Sequence, residues 1–144
     1  MLGGRVVWKR RIRPDALARS KERCNVCAAK AERLLCHDKW VYDDKKAIAM
    51  LAGFEMHCEF CDMVTHIGRM MQVRDPKIVV LAAVGHLCKV NKCDEKAALD
   101  ILTNAHNVWK KRNQKTWKIG VAPELLESYP ELEGLPEFEP SVSF

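Results

Sequence analysis

HCEFCDMVTH, residues 57–66, sets two cysteines, two histidines and an aspartate within ten positions. Inside it Cys58-Glu-Phe-Cys61 is a Cys-x2-Cys pair. A second pair, Cys24-Asn-Val-Cys27, lies upstream, separated from the first by 30 residues. A two-residue spacer lets both thiolates of a pair reach one ion, and zinc takes four ligands in a tetrahedron with sulfurs at about 2.3 Å. Cys24, Cys27, Cys58 and Cys61 are therefore read as a structural Zn2+ site, against the competing reading of two unrelated dithiols or disulfides.

Working outward, residues 33–42 (RLLCHDKWVY) and 47–57 (AIAMLAGFEMH) are apolar runs separated by Asp43, Asp44, Lys45 and Lys46. The break predicts a hairpin, although AIAMLAG also fits a short helix. A helix is expected from about Cys61 to Met71, with Met63, Val64, Ile67 and Met70 or Met71 facing inward as core filler. Cysteine pair, hairpin, second pair and helix follow one another in the order of a treble clef. The binding energy of such a site, on the order of 10 kcal/mol, would hold together a region too short for a large core of its own.

Beyond it, Asp75-Pro76 is an N-cap followed by proline at the first helical position and opens a helix through Val90. Asp94 caps another helix to about Arg112, with apolar positions Ala98, Leu99, Leu102, Ala105 and Trp109. The two form a helical hairpin packed on the metal unit. TWKIGV reads as a short strand, and Pro123 starts a last helical turn through Tyr129. Cys88 and Cys93, with His86 nearby, are read as ordinary thiols. The expected class is α+β: a treble-clef zinc ββα unit, a helical hairpin, a short strand and helix, and a disordered acidic tail. In domain terms, residues 1–129 form one zinc-binding domain (arm 1–23, metal unit 20–72, helical part 75–129), and residues 130–144 are a flexible tail.

The chain has 144 residues, 48% of them apolar and 30% charged, with seven cysteines and a net charge of +5. No apolar run approaches the roughly 18 residues of a membrane span, and the N-terminus lacks the apolar stretch of a secretory signal. Together with the paired thiols, this points to a reducing, cytoplasmic location with no membrane partner. Residues 1–23 carry eight basic side chains against Asp15 and Glu22, a local net of +6. Val7, Lys9, Arg11 and Arg13 alternate as in a short strand or arm that Pro14 stops, after which Asp15 reads as the N-cap of ALARSKER. Lys9, Arg10, Arg11 and Arg13 are candidate phosphate contacts for nucleic acid, and a solvated face is the competing reading. Residues 130–144 hold four glutamates, three prolines and no positive charge. Leu135, Phe138 and Phe144 are docking points there for a protein partner or for the chain's own basic face. Assembly as a homodimer is left open.

Within the zinc frame lie His37, Asp62 and His66, flanked by Cys36, Asp38 and His57. Asp62 and His66, four apart, share a helix face. A strand histidine above that face makes a candidate centre for holding a divalent metal or activating water. The plainer reading gives His66 a capping role and Asp62 a helix-dipole role.

The set Cys24-x2-Cys27, Cys36-His37, Cys58-x2-Cys61-Asp62 and His66 resembles the zinc-bearing HNH, or ββα-metal, endonucleases, in particular the recombination endonuclease VII type of phage. The similarity covers roughly residues 20–72. It implies a nucleic-acid hydrolase in which His37 is the general base, Asp62 a ligand to a catalytic Mg2+, and His66 a ligand or phosphate contact. The chain departs from that pattern in two places. Cys36, a soft ligand, stands where the family has an acidic residue before the histidine, and no asparagine lies between Cys27 and Cys58. Two expectations follow. One is a metal-dependent endonuclease with a rearranged centre that takes Mn2+, Ni2+ or Zn2+. The other is a non-catalytic zinc-binding protein of a phage or mobile element that binds nucleic acid or a host or defence protein.

Overall fold

The computed structural model describes residues 6–134. The chain is a mixed α+β fold with one three-stranded sheet. Val6 and Val7 are helical, a π-helical turn spans Trp8–Ile12, and α1 spans Arg13–Arg19. Then come β1 (Leu34–Asp43), β2 (Ile48–Cys58), α2 (Glu59–Thr65) and α3 (Ile67–Met70). The helical hairpin is α4 (Pro76–Asn91) and α5 (Glu95–Arg112), and β3 (Lys118–Val121), α6 (Pro123–Ser128) and a 3-10 turn (Pro130–Leu132) close the fold.

The expected hairpin forms, with an antiparallel register running from Leu34 opposite Cys58 to Asp43 opposite Ile48. The Asp43 carboxylate accepts the backbone N–H groups of Lys45 and Lys46 at 3.1 and 3.0 Å, so the polar break builds its own turn. A bulge between Lys39 and Trp40 shifts the register. It keeps Leu51 on the same buried face as Phe54 and Met56 despite the odd spacing. β3 pairs with β2 in parallel, Ile48 opposite Lys118 to Leu51 opposite Val121.

The sheet divides two cores. Leu34, Leu51, Phe54 and Met56 pack with Ile12, Ala16, Leu125, Tyr129 and Leu132 on one side. Ile67, Val79, Ala83, Val84, Leu87, Ala98 and Leu102 form the other, with Met63, Val64, Met70 and Met71 against it as the filler expected of them. Leu99, by contrast, points to solvent. Asp75 and Asp94 cap α4 and α5 through Lys77 N and Ala97 N at 3.2 and 2.8 Å. The helical hairpin is tied to the β-turn by Arg112, whose guanidinium donates to Asp44 at 2.9 Å and lies 4.1 Å from the Tyr42 ring centroid.

Four expectations change. The basic segment before Pro14 is helical rather than extended, because Trp8, Ile12 and Ala16 recur at i, i+4 and bury one stripe. The alternation of Lys9, Arg11 and Arg13 marks only its exposed side. Pro14 falls in the first turn of α1, where its missing N–H is tolerated beside the π-turn, so it does not stop the segment. Asp15 is therefore inside a helix and accepts the Tyr129 hydroxyl at 2.9 Å instead of capping. The helix expected over residues 61–71 is two pieces, α2 and α3, broken at His66 (φ −104°, ψ 27°).

The ordered chain also continues past residue 129. Leu132 is 1% exposed in the first core, and Glu131 pairs with Arg11. Leu135, Phe138 and Phe144, like Arg5, lie outside the described residues. Leu132→Ala is expected to cost about 2–5 kcal/mol, the range for emptying a filled core position. Urea unfolding checks it, and a midpoint unchanged from wild type would show that Leu132 contributes nothing.

Candidate metal centres

The first centre is built by two local devices. The Cys24–Cys27 turn is closed by Ala28 N to Cys24 O (2.9 Å) and Cys24 N to Ala29 O (3.0 Å), with Ala28 in the left-handed region at φ 59°. Asn25 then clamps the turn to β2. Its N–H donates to Met56 O at 2.7 Å, and its side-chain oxygen accepts Met56 N–H at 2.7 Å. That clamp sets Cys24 and Cys27 against Cys58, the last residue of β2, and Cys61 in the first turn of α2. The four sulfurs lie within 4.8 Å of one another, and Cys27 Sγ is 3.7 Å from Cys58 Sγ. They are close enough to hold a metal ion, and four largely buried thiols are a donor set consistent with structural zinc.

Burial opposes ionisation of Cys24, but hydrogen bonds from the backbone at Cys27, Cys58 and Val26 outweigh it and bring the thiol down to about 7. Burial and the neighbouring thiols push Cys61 up instead, so Cys24 gives up its proton well before Cys61 does.

The sequence sets His86 beside Cys88 and Cys93, but the structure turns it to Cys61 instead. On α4, its Nε2 lies 3.1 Å from Cys61 Sγ and its ring stacks at 5.5 Å on Phe60. No local signal marks it, since α4 begins 15 residues after Cys61 and the contact is purely tertiary. It links the helical hairpin to the thiol cluster as an outer hydrogen-bonding partner of the kind that orients metal ligands.

The second centre lies on the face of the hairpin opposite the first core. Strand alternation puts Leu35, His37, Lys39, Glu55 and His57 on that face and Leu34, Cys36, Asp38, Met56 and Cys58 on the other. α2 covers the first set and brings Asp62 to it, with His66 one turn on. His37 Nδ1 is 3.2 Å from His66 Nε2 and 3.7 Å from Asp62 Oδ1, and His66 Nε2 is 3.7 Å from the same oxygen. Ligands at about 2.1 Å from one ion stand about 3.0–3.4 Å apart, so this triangle needs to close by only a few tenths of an ångström. His37, His57 and Asp62 form an overlapping trio within 4.8 Å.

All three sequence-predicted residues of this centre thus meet. Cys36 and Asp38 do not join them. Cys36 packs against the first core, where burial pushes its thiol up to about 11, and Asp38 accepts Trp40 Nε1–H. Burial, reinforced by His57 and His66, holds His37 down to about 4 against the pull of Asp38 and Asp62. His37 is therefore the neutral imidazole at pH 7, the form that either ligates a metal or accepts a proton.

The basic helix lies apart from this centre in its bonding. Lys9 and Arg10 are exposed. Arg11 is engaged by Glu131 and the Ser128 carbonyl, and Arg13 donates to Leu34 O at 3.5 Å. No helix among the described residues is long and apolar enough to cross a membrane. No protein-family model, curated protein or solved structure matches the chain.

Proposed function

We propose that the chain is a divergent HNH-like, metal-dependent endonuclease acting on nucleic acid, built on a treble-clef unit whose four cysteines hold structural Zn2+. One observation carries the reading: His37 from β1, Asp62 from α2 and His66 from the break that follows α2 converge to within 3.7 Å in a largely buried triangle. In this reading Asp62 and His66 hold a second divalent ion, Mn2+, Ni2+ or Zn2+ in preference to Mg2+. Once bound, that ion supplies Lewis-acid stabilisation of the charge developing on the scissile phosphate.

The protein's own groups do the rest. His37, neutral at pH 7, takes the proton of the attacking water on Nδ1, the ring atom turned toward Asp62 and His66. Asp62, with Oδ1 3.7 Å from a ring nitrogen of each histidine, orients both. Lys9 and Arg10 on the exposed side of the N-terminal helix grip the phosphate backbone without reading sequence.

The test is a cleavage assay on plasmid and branched DNA and on RNA across Mg2+, Mn2+ and Ni2+. Metal-dependent cleavage supports the reading, and its absence with every metal ends it. Replacing Lys9 and Arg10 with alanine is expected to weaken nucleic-acid binding at all sequences. It should also lower the slope of log affinity against log salt by about 0.9 for each phosphate that the arm no longer neutralises. Binding unchanged in both respects would remove the arm from the interface.

A second reading, a non-catalytic zinc module that binds a protein or nucleic acid, is favoured by a different feature. On α4, Ile78 and Leu81 are left 65% and 71% exposed, as at a docking face. It predicts that Cys58→Ser abolishes function in cells while His37→Ala leaves it unchanged.

A further inference from the structure

His57 is 3% exposed, and its Nδ1 has no hydrogen-bond partner among the described residues. A buried polar nitrogen without a partner is costly, and a native chain keeps one only where something else satisfies it. The surroundings of His57 indicate what that is. Its ring stacks on His37 with centroids 4.5 Å apart and planes 18° off parallel, and it belongs with His37 and Asp62 to the trio that can close on one ion. Its other nitrogen, Nε2, faces Glu55 Oε2 at 3.4 Å, and Glu55 is itself held by Lys39 Nζ at 2.6 Å. A carboxylate that takes the N–H of one imidazole nitrogen leaves the opposite nitrogen with a free lone pair. This is how metal-bound histidines are fixed in tautomer and orientation.

We propose that His57 ligates the second ion through Nδ1, with Glu55 as its orienting carboxylate and Lys39 as the group that holds Glu55. The inference rests on the reading that an ion binds at Asp62, and it adds a ligand that the resemblance to HNH enzymes does not supply. His57 and Asp62, whose ligand atoms lie within 4.8 Å of one another, then give the ion an imidazole and a carboxylate. Such a set suits Mn2+, Co2+, Ni2+ or Zn2+ and fits Mg2+ poorly, since Mg2+ favours all-oxygen octahedra and sheds its waters reluctantly.

The experiment titrates Co2+ into the zinc-loaded full chain and follows its visible absorption and the heat of binding. Wild type is expected to take up one Co2+ beyond its zinc. Glu55→Gln is expected to weaken that binding about 10- to 100-fold, the range for losing the supporting partner of a metal ligand, and His57→Leu by at least as much. Without Co2+, His57→Leu should melt no lower than wild type, because leucine removes the unpartnered nitrogen; a purely structural histidine would show the reverse, lower stability with Co2+ affinity intact. A measurement on the unmutated chain stands beside it: a one-bond spin coupling between bound cadmium and the labelled His57 Nδ1. Absence of that coupling, or unchanged Co2+ affinity and spectrum in His57→Leu while Asp62→Ala loses both, overturns the role of His57 and leaves the ion at Asp62 standing. A wild-type chain that takes up no Co2+ beyond its zinc overturns both.

Discussion

Removing the zinc proposed at the four-cysteine site, by a strong chelator or by Cys58→Ser, is expected to unfold residues 20–72 and to abolish the cooperative melting transition. The energies decide this. A structural zinc contributes on the order of 10 kcal/mol, whereas a whole domain of this size is stable by only about 5–15 kcal/mol. The geometry agrees, since three of the four cysteines are part of the first core and Asn25 joins the Cys24 turn to β2. Loss of the ion frees the turn, the end of β2 and the start of α2 together, and with them the tie from His86 to the helical hairpin. Circular dichroism and thermal melting with and without chelator read the effect. An intact spectrum and melting temperature in metal-stripped protein would make the site peripheral.

His37→Ala is expected to reduce the proposed cleavage about 100- to 10,000-fold, the usual contribution of a positioned general base, while the fold and the bound zinc persist. His37 belongs to the second centre alone. Its strand neighbours Cys36 and Asp38 face the other core, so truncating it leaves the thiol cluster untouched. Single-turnover cleavage with Mn2+ measures it, alongside circular dichroism as a control. A variant that cuts as fast as wild type would take the base away from His37.

The hairpin with its four-cysteine cluster was legible because its signals are local and chemically specific. Two Cys-x2-Cys spacings, the Asp43–Lys46 break and the i, i+4 pair Asp62 and His66 each dictate geometry at short range. The caps Asp75 and Asp94 likewise announced the helical hairpin. The hairpin register places His37 and Cys36 on opposite faces, which explains how the second centre dispenses with Cys36.

Other features depend on distant partners. The N-terminal basic residues alternate like a strand, and only the burial of Trp8, Ile12 and Ala16 makes the segment helical. Leu132 sits in a Pro- and Glu-rich stretch whose composition hides a core residue. His86 meets Cys61 only once α4 folds back. His57 stood in the opening motif from the start, and Glu55 is two residues before it on the same strand, but the stacking of His57 on His37 needed the register of the hairpin.

Metal content of the purified full chain tests the central claim, two distinct metal sites in one ββα unit, most directly. The account predicts one tightly held zinc per chain that Cys58→Ser eliminates, and one exchangeable divalent ion at saturating Mn2+ that Asp62→Ala eliminates while the zinc remains. One zinc per chain with no second ion at any Mn2+ concentration would contradict it.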